Sequence, residues 1–105
     1  MRGNLTRYLL SKIAEEASEV AKEALKAQQF GLYEQYKHDG PDNYQRLISE
    51  IKDLCIVVDM LVQSESTYEV DITIEEEDTK KTKVMYYYDY SEKVRGKYDD
   101  SPSST

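Results

Sequence analysis

Two long stretches written at the period of an α-helix, each with acidic residues set beside an apolar stripe, limit how this chain can fold more than any other feature. In the first, Leu5, Leu9, Ile13, Ala17, Val20, Ala21, Ala24 and Leu25 recur every three or four residues. That spacing lines one face of a helix with 3.6 residues per turn. Asn4 or Thr6 can cap its start, and Gly31, directly after Phe30, is a residue on which helices commonly stop. In the second, the stripe is Tyr44, Leu47, Ile48, Ile51, Leu54, Cys55, Val58, Leu61 and Val62. Pro41 suits a first turn, and Asp42 or Asn43 places an acceptor near free N–H groups. Between the stretches, His38-Asp39-Gly40-Pro41-Asp42-Asn43 is turn chemistry, and Leu32 to Lys37 has room for a short helical piece. The pattern predicts two helices, from about Leu5 to Phe30 and from Pro41 or Asp42 to Gln63, packed as an antiparallel pair. Two helices enclose little, so self-association into a homodimer or homotetramer is expected to complete the bundle.

The period changes after residue 66. Tyr68 to Glu75 alternates strictly between polar and apolar, and Val84, Tyr86, Tyr88 and Tyr90 share one face of a second alternating run. Glu75-Glu76-Glu77-Asp78 can face Lys80, Lys81 and Lys83 across a turn. The expected fold is therefore mainly α, an oligomeric bundle of antiparallel helices with a C-terminal β-hairpin. Residues 1–66 form the helical core, 67–98 the hairpin, and 99–105 a disordered polar tail. Ten tyrosines and no tryptophan fit rings that pack the hairpin onto the bundle or another subunit, with base stacking as the functional alternative.

Composition removes several function classes. Among 105 residues, 21 Asp and Glu outweigh 14 Lys and Arg, for a net charge of −7. Coating a nucleic-acid polymer or an anionic membrane needs basic stripes instead. One Cys and one His leave no thiolate or imidazole metal site and no internal disulfide. Cys55 reads as a small core side chain and His38 as a polar turn residue. No run approaches the roughly 20 apolar residues of a membrane span, so a cytoplasmic protein is expected.

The acids themselves are arranged for chemistry. The first helix carries Glu15, Glu16 and Glu19; the second carries Glu50 and Asp53. Residues three and four apart are neighbours on a helix surface, so each set projects over one sector beside its stripe. Antiparallel packing lets both sets face one cleft. Like charges so grouped repel, and a hard divalent cation such as Mg²⁺ or Mn²⁺ reverses that cost because it prefers oxygen ligands. Such a site suits a polyphosphate and an attacking water. The bland alternative is a solvated acidic face, the ordinary fate of an isolated Glu-x-x-Glu.

E-E-x-x-E followed by E-x-x-D on the next long helix resembles the MazG-like all-α nucleoside triphosphate pyrophosphohydrolases. Lys12-Ile13-Ala14-Glu15-Glu16-Ala17-Ser18-Glu19-Val20 is similar to that family's first metal helix. Lys26-Ala27-Gln28-Gln29-Phe30-Gly31 resembles the K-x-x-[basic]-F-G ending seen in small stand-alone members, many of them phage-encoded. Leu47-Ile48-Ser49-Glu50-Ile51-Lys52-Asp53-Leu54 is similar to the second metal helix. The resemblance spans about residues 5 to 63. It implies Mg²⁺-dependent hydrolysis of a nucleoside triphosphate to the monophosphate and pyrophosphate, with Mn²⁺ as a substitute. It further implies Glu16, Glu19, Glu50 and Asp53 as metal ligands, with Glu15 as a further ligand or, like Glu16, a catalytic carboxylate that orients the water. Lys12, Lys26 and Lys52 are the cations placed to meet substrate phosphates, although Lys52 stands where the family often has Gly and Gln29 where it has a basic residue. The competing function class is a non-catalytic acidic helical protein that binds a basic partner.

Overall fold

The computed structural model describes residues 2–65 and 71–99. They form three helices: α1 (Arg2–Phe30), α2 (Asn43–Glu65) and α3 (Ile74–Asp99). The chain divides into two units, residues 1–70 and 71–105.

In the first unit, α1 and α2 lie antiparallel and are tied at both ends. The Thr6 hydroxyl, near the start of α1, donates to the Glu65 carboxylate at the end of α2. At the other end, Asn43 Nδ2 donates to the Gly31 carbonyl at 2.9 Å. Each terminus follows from its own residues. Gly31 takes a φ of 112°, and its N–H returns to the Ala27 carbonyl at 2.9 Å, which satisfies a helix-end acceptor. Asp42 is the N-cap of α2. The Gln45 N–H donates to Asp42 Oδ1 at 2.8 Å, and Gln45 Oε1 accepts from the Asp42 N–H at 2.9 Å. That reciprocal pair is a capping box. It frees Asn43, the other expected cap, for its bond to Gly31. Residues 32–37 form turns and an isolated bridge between Gln35 and Asp42, in place of the short helical piece expected there.

The packed seam of α1 is rotated from the expected stripe. Leu9, Ile13, Glu16, Val20, Glu23 and Ala27 alternate steps of four and three and are buried or half-buried. Ala17, Ala21, Ala24 and Leu25 lie outside the seam and are exposed. Leu9 and Ala27 are the only buried apolar residues among those described. Polar groups in such a seam cost stability, yet here two glutamates lie in it. Cys55 is exposed, not part of a core, because a single partner helix covers only one side of α2. Ile56 and Met60 are exposed with it.

The second unit overturns the expected hairpin: residues 74–99 are one helix, and no strand occurs among the described residues. The part of the first expected strand at residues 68–70, and the tail at 100–105, lie outside the described residues. Local chemistry explains the outcome. Thr73 Oγ1 accepts from the Glu76 N–H at 3.1 Å, and Glu76 Oε1 accepts from the Thr73 N–H at 3.2 Å, a second capping box. Glu75, Glu76 and Glu77 occupy the first turn, where the helix dipole favours negative charge. Glu77 pairs with Lys81 one turn on, at 2.7 Å. The opposite charges expected to face each other across a hairpin thus satisfy each other along one helix. A lone two-stranded hairpin is marginal in water, and no third strand occurs among the described residues to support one. Tyr86 and Tyr87 meet edge to face, with centroids 5.2 Å apart. Every described side chain from Ile74 to Gly96 is exposed.

Among the described residues, no helix is long and apolar enough to cross a membrane.

Two outcomes test this description. Backbone ¹³Cα shifts of residues 74–99 should be helical throughout; strand-type shifts over 83–90 would restore the hairpin. Replacing Gly31 with Ala should destabilise the α1–α2 unit by about 1 kcal/mol or more, because a β-carbon is strained at that φ. Unchanged thermal stability of Gly31→Ala would show that the α1 terminus is not held as described.

Candidate metal centre

The antiparallel pairing brings the middle of α1 against the middle of α2. Glu16 from α1 and Glu50 and Asp53 from α2 each offer a carboxylate oxygen, and these oxygens all lie within 4.8 Å of one another. Glu16 and Glu50 are half-buried; Asp53 is exposed. Glu50 is the electrostatic centre of the group. Its carboxyl is pushed above the ordinary value of 4.5, first by burial and then by the charges of Asp53, Glu16, Glu19 and Glu23. Glu19 therefore lies within electrostatic reach of Glu50, although its oxygens are not among those gathered within 4.8 Å.

The donor set passes a chemical test for fit. Several carboxylate oxygens drawn from two helices, with no sulfur or imidazole among them, match the preference of Mg²⁺ and Mn²⁺. The repulsion that raises Glu50 is what a divalent charge removes. The same grouping is common on acidic surfaces without an ion; here Glu16 and Glu50 are half-buried and Asp53 is exposed.

The remaining sequence-based candidates scatter around this centre. Glu15 lies outside it. Its carboxylate is paired with Lys12 Nζ at 3.1 Å, and its side chain is largely exposed. The same contact raises the Lys12 ammonium above its ordinary value, through the hydrogen bond to Glu15 first and then through charge attraction. Lys26 pairs with Glu23 at 3.6 Å and lines a pocket at the loop end of the two helices. Lys52 lines a different groove, with Tyr44, Gln45, Ile48 and Ser49. The three lysines thus occupy three separate surroundings.

Glu23 escaped the sequence reading. It continues the spacing of Glu16 and Glu19, but its significance comes from burial, which spacing alone does not reveal. It is 7% exposed, and its Oε2 has no hydrogen-bond partner. His38 is exposed in the turn and lies 3.6 Å from the Asp39 carboxylate.

Comparison with family models, with curated proteins and with solved structures finds no match to this chain.

The raised Glu50 carboxyl gives a pH prediction with a definite sign. A group bound to its proton more tightly when folded stabilises the fold below its unfolded value, and that contribution is lost as pH rises through the folded value. In EDTA, the thermal midpoint should therefore fall from pH 4.5 toward 7 more steeply for the wild type than for Glu50→Gln. At pH 7 the variant should be at least as stable as the wild type. A variant less stable than the wild type at pH 7 would mean that Glu50 is not held against like charge.

Proposed function

We propose that the α1–α2 unit hydrolyses nucleoside triphosphates to nucleoside monophosphate and pyrophosphate with the help of a divalent cation. One observation carries the reading: carboxylate oxygens of Glu16, Glu50 and Asp53 from two helices converge within 4.8 Å. They are residues that the resemblance to MazG-like pyrophosphohydrolases marks as ligands. Glu16, Glu50 and Asp53 would hold the ion, and Glu19, near enough to bias Glu50, adds a fourth carboxylate. When bound, Mg²⁺ or Mn²⁺ would offset the charge of the phosphates and lower the pKa of an attacking water.

The chain's own groups position the reactants. In the reaction, the oxygen of water joins the α-phosphorus and the bond to the α–β bridging oxygen breaks. Pyrophosphate leaves with that oxygen. A carboxylate of Glu15 or Glu16 takes the water's proton. For Glu15 this role requires release of Lys12, its partner at 3.1 Å, and the freed ammonium is then available to a phosphate. Lys26 is a second cation on the loop side of the acids.

Self-association belongs to the same proposal. The single chain leaves Leu5, Leu25, Ile56 and Met60 exposed, and a second α1–α2 pair would cover such faces in a four-helix arrangement. A cytoplasmic setting also goes with it, since Mg²⁺ and nucleoside triphosphates are available there and the lone Cys55 calls for no disulfide.

The test is release of pyrophosphate from a panel of ribo- and deoxyribonucleoside triphosphates, in Mg²⁺, in Mn²⁺ and in EDTA. The expected result is metal-dependent turnover that yields a monophosphate. Glu50→Gln should lower kcat by about 100-fold or more while leaving the helical content intact. Turnover that persists in EDTA, or full activity of Glu50→Gln, would refute the site. A folded protein inactive on the whole panel would favour the acidic interaction protein.

A further inference from the structure

Toward the loop end of the same two helices lies a pocket of about 740 Å³, within the range that holds drug-sized ligands. Its lining combines three kinds of group. Lys26, Arg46 and the acid Glu34 are charged, Phe30 and Tyr36 are aromatic, and Gln35 and Asn43 are polar. The aromatic rings have little cover of their own: Phe30 is 61% and Tyr36 is 84% exposed. Asn43 is buried, and its amide is spent on the Gly31 carbonyl, which fixes the wall where α1 ends and α2 begins.

Arg46 is the informative member. It is half-buried, and its side-chain Nε is sealed from solvent with no acceptor. Among the described residues no carboxylate is paired with this guanidinium, so its charge is left uncompensated where it lines the pocket. Arg46 also stands one turn before Glu50 on α2, so the two side chains are separated by about 6 Å of helix rise. Glu23 links the two regions from the other helix. Its carboxylate pairs with Lys26 of the pocket at 3.6 Å, and its charge is felt at Glu50.

We infer that this pocket binds the planar ring and sugar of a phosphorylated ligand. The ring lies against Phe30 and Tyr36, and the phosphate chain runs past Arg46 and Lys26 toward Glu50 and Asp53. The inference rests on the proposed hydrolase for the identity of the ligand as a nucleotide, and it adds the direction in which that ligand lies. The ring end is at the 31–42 loop and the phosphate end at the middle of the helices. Arg46 supplies charge-assisted bonds to phosphate oxygens. The aromatic pair supplies a face for stacking that tolerates any base. Glu34 offers an acceptor to an exocyclic amine or a sugar hydroxyl.

The test measures binding, so it does not depend on turnover. The probes are the four α,β-imido nucleoside triphosphates and inorganic tripolyphosphate, titrated calorimetrically into the full-length protein with Mn²⁺ present. At least one nucleotide analogue should bind about tenfold or more tightly than tripolyphosphate, the difference being the ring's contribution. Phe30→Ala and Tyr36→Ala should remove that difference and leave tripolyphosphate binding unchanged. Arg46→Ala should weaken both probes by about tenfold or more, while Arg46→Lys recovers part of the loss. Mn²⁺ binding alone, followed by water proton relaxation, should be the same in every variant, which shows that the fold and the acids are intact.

Analogue affinity unchanged in the aromatic and Arg46 variants would overturn the pocket assignment, even if the protein hydrolyses nucleotides. Failure of the wild type to distinguish every analogue from tripolyphosphate would overturn it equally. Ring-dependent binding lost in these variants, in a protein that releases no pyrophosphate, would uphold the pocket and count against the hydrolase alone.

Discussion

Everything in the first unit depends on the seam between α1 and α2, where apolar packing forces carboxylates together. Leu9 and Ala27 are buried in it, yet the same alternating row of side chains contains Glu16 and Glu23. Hydrophobic contact holds the helices closed, and closure presses Glu16 against Glu50 and Asp53. The Glu50 carboxyl is raised there, first by burial and then by the charges of Asp53 and Glu16. A fold that sought only stability would place apolar residues at these positions. The cost is the kind of local conflict that functional sites carry.

The ends of the seam fix its register. Thr6 with Glu65 at one end and Asn43 with Gly31 at the other prevent the helices from sliding. The tolerance is small. A slip of one turn, about 5.4 Å, exceeds the 4.8 Å span of the carboxylate cluster and would separate Glu16 from its two neighbours. The capping box at Asp42 and the glycine terminus at Gly31 therefore serve the site as well as the helices, because they decide where α2 begins relative to α1. The same turn forms the floor of the aromatic and cationic pocket, so one short connection sets both the register of the acids and the shape of the cavity beside them.

Much of this was legible in the sequence, for local reasons. The stripes gave both helices of the first unit, Gly31 and Asp42 marked their ends, and the spacing of Glu16, Glu50 and Asp53 indicated that they could share a cleft. What was hidden depended on tertiary context. Which side of α1 faces its partner is not fixed by a broad stripe of alanines, so Glu23 went unnoticed and Ala17, Ala21 and Ala24 were misassigned. Cys55 belongs to an apolar stripe, but one partner helix cannot cover that stripe's full width. The third helix was misread because its tyrosines at 86, 88 and 90 mimic a strand's alternation. Its acidic and basic blocks also fit a hairpin as readily as successive turns. The deciding signal, Thr73 three residues before Glu76, sits in a run that alternates as a strand does.

We propose that the α1–α2 seam builds a cation site. Substoichiometric Mn²⁺ added to the isotopically labelled protein tests it most directly, through paramagnetic broadening of side-chain carboxyl carbons. Glu16, Glu50 and Asp53 should broaden first and together, with Glu19 next, and EDTA should restore all of them. Broadening centred instead on Glu75 to Asp78, or spread evenly over the acidic surface, would contradict the account.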